Sequence, residues 1–184
     1  YLFWFLYKKQ LVDKHTVFSR HSRGGCQSKC WFCLESSYFI ALIPAHTVSV
    51  APMMDWTDRH CRYFYRLLSL KIQLYTEMIT AKAILNGDKH RLLDYNASEH
   101  PLVLQLGGSD AGEMSECADI AEKWGYDAVN INVGCPSERV LSGSFGACLM
   151  KEPYLVGACV ERMMEACNIP VTVKCRIGVD EMES

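Results

Sequence analysis

The sequence predicts an α/β fold, a (β/α)8 TIM barrel truncated after about its fifth strand. Three observations carry that prediction. Apolar segments of strand length alternate with helical segments, one pair per roughly 25 to 40 residues, as parallel βα units do. Polar side chains gather where those strands end, which is where a parallel barrel keeps its active site. No G-x-G-x-x-G follows any strand, which weighs against the runner-up, an open doubly wound sheet with a dinucleotide site. A complete barrel takes about 250 residues, and this chain has 184.

The elements follow in order. Thr47 to Ala51 reads as a short strand stopped by Pro52. Asp58 to Ser69 reads as a helix capped by Thr57 or Asp55, with Cys61, Phe64, Leu67 and Leu68 as its apolar stripe. Ile72 to Thr76 is the second strand. A helical region between Ile79 and Asn96 breaks near Asn86-Gly87, and Leu102 to Leu106 is the third strand, closed by Gly107-Gly108. Ala111 to Trp124 carries Met114, Cys117, Ala118 and Ala121 at helical spacing and stops at Gly125. Ala128 to Asn132 is the fourth strand, Pro153 opens a helix to about Cys167, and Val171 to Cys175 is the fifth strand.

Composition narrows the class. Half the residues (49%) are apolar and the net charge is −2, which is ordinary for a globular chain and gives no electrostatic footprint for nucleic acid. The opening Tyr-Leu-Phe-Trp-Phe-Leu run is far short of the roughly 20 apolar residues of a membrane helix. Most of the 10 cysteines sit inside apolar or helical patterns, as small buried hydrophobes do, and point to a reducing compartment. Residues 1–45 lack trustworthy periodicity and read as an unassigned, disordered extension, with the barrel domain spanning 46–184. Within the extension, Cys26, Cys30 and Cys33 form a C-x3-C-x2-C spacing that can hold three irons of a four-iron cluster. No strand and helix of a barrel frame that motif, so chance spacing among many cysteines is the plainer reading.

The chemistry concentrates between Asp127 and Met150. Val129 and Ile131 alternate with Asn130 and Asn132, which puts both amides on one strand face. Buried amides need hydrogen-bond partners, from a ligand or from a polar network. The strand runs into a loop with Gly134, Gly143 and Gly146, and Cys135 stands directly before Pro136, which holds it extended. A thiol is mostly protonated at neutral pH, so one on such a loop can donate a proton as readily as attack. Cys148, in the same loop, reads as packing. The other strand ends offer Pro52, Met53, Glu77, Gln105, Lys174 and Arg176. Lys174 and Arg176 share a face with Thr172, and two inward cations call for an anion or an electron-rich ligand, or for an ion pair such as Lys174 with Glu77. Amides and a lysine at a ring's edge with Met53 against its face suit a flavin.

Six blocks in collinear order then resemble one family: Ala51-Pro-Met-Met-Asp-Trp-Thr-Asp58, Tyr75-Thr-Glu-Met78, Gln105-Leu-Gly-Gly108, Asn130-Ile-Asn-Val-Gly-Cys-Pro-Ser137, Gly146-Ala-Cys-Leu-Met150 and Val173-Lys-Cys-Arg-Ile-Gly178. The stretch from about Thr47 to Asp180 resembles the tRNA-dihydrouridine synthases, in the branch acting on positions 20 and 20a of the D-loop. The resemblance implies an FMN barrel reduced by NADPH, a hydride passed to C6 of a flipped-out uracil, and Cys135 as proton donor to C5. It implies that Ala51, Pro52 and Met53 line the flavin, that Gln105 and Lys174 hydrogen-bond its ring with Arg176 near the same edge, and that Asn132 lies beside the uridine of the tRNA. It further implies a cytoplasmic monomer with no membrane attachment and no metal, an organelle being the alternative location. A free-pyrimidine reductase on a similar barrel, an inactive relative and an iron–sulfur enzyme are the competing readings.

Overall fold

Parallel strands buried on both faces organise the computed structural model, which describes residues 17–18, 48–136 and 145–176. The sheet is built from β1 (Val17–Phe18), β2 (Leu74–Thr80), β3 (Leu102–Gly107), β4 (Ala128–Val133) and β5 (Val171–Cys175), in the spatial order β1-β5-β4-β3-β2. Strands β2 to β5 run parallel, and β1 pairs antiparallel with the outer edge of β5. Ahead of β2, Ser49 makes a single parallel bridge to Gln73, which extends the arc by one short strand. The helices are α1 (Arg59–Leu68), α2 (Ala81–Asn86), α3 (Lys89–Leu93), α4 (Ala111–Trp124) and α5 (Pro153–Ala166). Short 3-10 turns cover Ala97–Glu99 and Gly146–Lys151. This is the βα order of a TIM barrel.

Every residue of β3 and β4 is buried, as strands covered on both faces must be. Alternation sorts their side chains. Leu102, Leu104, Leu106, Val129, Ile131 and Val133 join the main core beneath the helices. On the opposite face Tyr75, Val103 and Ala128 form a small apolar layer. Two residues further along β3 and β4 the same face turns polar, at Gln105 and Asn130. Helix α4 keeps the expected pattern: Met114, Cys117, Ala118 and Ala121 are all inaccessible, and Gly125 ends the helix in a left-handed turn at φ 89°. Burial pushes the Cys117 thiol up to about 12, so it behaves as a small hydrophobe.

Helix α1 departs from the sequence expectation. Its predicted apolar stripe faces outward, with Phe64, Leu67 and Leu68 57%, 68% and 65% exposed, while Arg62 and Arg66 are buried. The periodicity was real but does not say which face is inside. The guanidinium groups win the inner face because acceptors wait there. Arg62 Nε meets Glu99 Oε2 at 2.6 Å, and Arg66 donates to the carbonyls of Ser69, Ile72 and Glu99 at 2.8–2.9 Å. The cap also differs: Asp58, neither Thr57 nor Asp55, accepts the N–H of Cys61 at 2.8 Å. Strand β2 runs on to Thr80, past the expected Thr76, through an irregular register between Tyr75 and Met78, and Thr80 then caps α2. The Cys26, Cys30 and Cys33 motif lies outside the described residues; of residues 1–45 the described pair is Val17–Phe18 in β1. Among the described residues no helix is long and apolar enough to cross a membrane.

Candidate active site

A ladder of buried polar side chains crosses the inner face of the sheet. Gln105 Nε2 donates to Asn130 Oδ1 at 2.8 Å, and Asn130 Nδ2 donates to Thr172 Oγ1 at 2.8 Å. Thr172 Oγ1 passes its hydrogen to the Val129 carbonyl at 3.2 Å. One step nearer the strand ends, Asn132 Nδ2 donates to Gln105 Oε1 at 3.1 Å. The backbone N–H of Gln105 is itself held by Thr76 Oγ1 at 3.0 Å. Each amide therefore has its orientation set by its neighbours, and three strands are locked in register. Gln105 commits one amide hydrogen and one lone pair to this ladder, and among the described residues one of each remains unassigned.

Asn132 joins the ladder to the thiol loop. Its Oδ1 accepts the N–H groups of Gly134 at 3.0 Å and Cys135 at 2.9 Å. The far side of the loop returns to the same place, where the N–H of Ala147 meets the Cys135 carbonyl at 3.0 Å. Gly146 turns the chain there with φ 73°. Gly134 has a different reason to be glycine: a Cβ would lie 3.1 Å from the Cys175 carbonyl carbon and 3.2 Å from the Arg176 nitrogen. The backbone leading to Cys135 thus rests directly on the end of β5. Phe145, at the loop's return, covers Gly107, where a Cβ would meet its ring at 3.1 Å. Cys148 is half-buried and donates to the Phe145 carbonyl at 3.1 Å.

The sequence-predicted residues divide into two groups. Gln105, Asn132 and Lys174 stand on the neighbouring strands β3, β4 and β5, with Asn132 and Lys174 register partners. Cys135 follows β4 and is half-buried, Lys174 is half-buried, and Arg176 just past β5 is exposed. Ala51, Pro52 and Met53 belong to the other flank of the arc, after the Ser49 bridge beyond β2. Ala51 is exposed and Met53 packs against the main core. Glu77 lies within β2 rather than after it, and its buried Oε1 takes no hydrogen bond among the described residues. Gly143 lies outside the described residues.

Sequence reasoning missed Thr76, whose hydroxyl holds the β3 backbone, and Thr57, which is fully buried ahead of α1. No pattern distinguishes such threonines from surface ones. It also missed Glu99, for which a signal existed: Asn96 and Glu99 have capping-box spacing, and both halves of the box form. An open hollow of about 360 Å³ lies between α1 and the 94–99 segment, lined by Arg59, His60, Tyr63 and Asp94. It is not at the strand ends, and the Arg59–Asp94 pair at 3.2 Å spans exposed surface.

Known proteins resemble this chain over the same stretch. The family model described as Dihydrouridine synthase (Dus) matches residues 49–184, well over half the chain. Three similar proteins are each named tRNA-dihydrouridine(20/20a) synthase. That of Xanthomonas campestris pv. campestris is 60% identical over 134 residues, covering 73% of this chain and 40% of the relative. That of Synechocystis sp. is 61% identical over 137 residues, covering 74% and 41%. That of Salmonella typhimurium is 58% identical over 142 residues, covering 77% and 42%. The chain spans about 40% of the length of these relatives. With the model match running through the amide ladder, the thiol loop and the end of β5, the chain belongs to the dihydrouridine synthase family.

Proposed function

We propose that this chain carries the uridine-reducing site of an FMN- and NADPH-dependent enzyme that makes 5,6-dihydrouridine in tRNA, at positions 20 and 20a of the D-loop. The observation that carries the reading is the pinning of Cys135 by Asn132, which stands on the same amide ladder as Gln105. The residues present suit a flavin. Among the described residues, Gln105 leaves one amide hydrogen and one lone pair unassigned at the end of a fixed ladder, and Glu77 Oε1 is a buried acceptor that meets no donor. Lys174 and Arg176 lie at the adjacent strand end.

Gln105 and Lys174 would hold the ring's polar edge, Arg176 would lie near it, and Ala51, Pro52 and Met53 would line its face. When bound and reduced by NADPH, FMN supplies the hydride that reaches C6 of uracil. Cys135 delivers the proton to C5 from its thiol and regains it from solvent, so one hydride and one proton are added across the C5–C6 bond. Asn132 fixes the backbone from which that thiol projects and stands beside the uridine. A base reaches such a pocket only when it leaves its stack. Named relatives of 58–61% identity in the 20/20a branch support the choice of substrate.

The test is the visible spectrum of the purified protein with FMN, then with NADPH, followed by turnover on unmodified tRNA. A flavin spectrum that bleaches with NADPH, and dihydrouridine formation lost in Cys135→Ala, is the expected result. A protein that takes up no FMN overturns the reading. Reduction of free uracil without RNA would instead favour a free-pyrimidine reductase.

A further inference from the structure

We propose that a buried relay from Glu99 through Arg62 and Thr57 positions Met53 as the apolar floor of the flavin site. The inference rests on the flavin reading above and assigns work to residues that reading does not use. Thr57 is fully buried, and its hydroxyl holds both polar groups of one backbone unit. Thr57 Oγ1 accepts the Met53 N–H at 3.0 Å and donates to the Met53 carbonyl at 3.1 Å. The same carbonyl also accepts the N–H groups of Thr57 at 3.0 Å and Trp56 at 3.2 Å. Met53 therefore has no backbone donor left for a ligand, and what it can offer a ring is its thioether side chain.

The clamp is held from behind. Arg62 Nη1 donates to the Thr57 carbonyl at 2.8 Å while Arg62 Nε meets Glu99 Oε2 at 2.6 Å. Glu99, also fully buried, spends Oε1 on the N–H of Asn96 at 2.7 Å, and its carbonyl accepts from Arg66 at 2.8 Å. Each member is thus oriented by the next, from the turn before β3 to the loop after the Ser49 bridge. Between Met53 and Thr57 the chain turns through Asp55 at φ 63°, a left-handed conformation that aspartate tolerates better than most non-glycine residues. A buried ion pair is weak as a source of stability, and here its placement fixes the direction of a loop at the strand ends. Thr57, Arg62 and Glu99 are assigned as positioning residues, since their bonds run to backbone groups and to one another.

The experiment titrates FMN into the parent chain, Thr57→Val, Thr57→Ser and Arg62→Lys. It reads flavin fluorescence quenching and the bound-flavin absorption spectrum, with urea unfolding of each protein run alongside. Thr57→Val, which loses both hydroxyl bonds to Met53, should bind FMN about tenfold more weakly and shift the spectrum. Thr57→Ser, which keeps the hydroxyl, should restore both, and Arg62→Lys should weaken binding should Thr57→Val fail to fold. Parent affinity and spectrum in a folded Thr57→Val or Arg62→Lys, even with a lowered urea midpoint, would overturn the relay and leave the flavin reading standing. A parent chain that takes up no FMN would remove both together.

Discussion

Asn132 Oδ1 lies 2.9 Å from the Cys135 nitrogen and 3.0 Å from that of Gly134, while Asn132 Nδ2 reaches Gln105 Oε1 at 3.1 Å. One side chain therefore ties the thiol-bearing loop to an amide ladder three strands wide. The carboxamide is suited to this because it donates and accepts at once. An aspartate in its place would keep the loop bonds and lose the donor to Gln105.

Replacing Asn132 with alanine should free the start of the loop and leave Gln105 Oε1 short of a donor. Stability should fall by about 1–3 kcal/mol, the cost of stranding buried polar groups. Cys135 should also react faster with iodoacetamide than in the parent, followed by mass spectrometry of the Cys135 peptide. Unchanged labelling in a folded variant would show that the Ala147–Cys135 bond holds the loop without help.

The Arg62–Glu99 pair, 6% and 0% exposed at its side chains, makes a sharper prediction. Arg62→Met leaves the Glu99 carboxylate buried beside an apolar group, which should cost about 3–5 kcal/mol. Removing both charges in Arg62→Met with Glu99→Leu should recover much of that loss, because the stranded charge is gone. Urea unfolding of the two singles and the double decides it. A double variant as unstable as the sum of the singles would mean the pair's backbone bonds to Thr57 and Asn96 matter more than its charges.

What could be read from the chain and what could not divide along physical lines. Helix α4 was legible because Met114, Cys117, Ala118 and Ala121 repeat at helical spacing and Gly125 closes them, all local signals. The strands β3, β4 and β5 were legible as apolar runs, and alternation correctly put Asn130 and Asn132 on one face. Helix α1 was legible as a helix and misread as to its inner face, since beside the local carbonyls of Thr57, Ser69 and Ile72 the acceptors that draw Arg62 and Arg66 inward include Glu99 and Pro101, more than thirty residues away. Thr57 failed for the same reason in miniature: its burial depends on how the loop closes around Met53. The first strand shrank to one bridge at Ser49. For Cys135 and Gln105 the sequence marked the place, and the ladder that orients them is tertiary.

The outward ridge of α1 should behave as surface despite its composition. Phe64, Leu67 and Leu68, with Leu70 just past the helix end, are 57%, 68%, 65% and 80% exposed, so they contribute little to the core. Leu67→Lys with Leu68→Glu should change stability by no more than about 0.5 kcal/mol. The same change should reduce self-association measured by light scattering, since contiguous exposed apolar side chains promote it. A large drop in the urea midpoint would show that this face is covered in solution.

Tyr75 contributes to the alkaline sensitivity of the fold. It is 4% exposed, in the small apolar layer with Val103 and Ala128, and burial pushes its phenol from near 10 up to about 12. Below pH 10 the phenol is protonated in both folded and unfolded chains, so its contribution to stability is fully present. Between pH 10 and 12 the unfolded chain ionises first, and stability drains away until the folded phenol ionises too. Displacement from near 10 to about 12 corresponds to a loss on the order of 2–3 kcal/mol across that window. Tyr126 and Cys117 are displaced in the same direction by burial and add to the loss. Tyr75→Phe should therefore match the parent near pH 7 and lose stability less steeply above pH 10, as read from urea midpoints at stepped pH. Parallel curves for the two proteins through that window would mean that Tyr75 gains access to water before the fold gives way.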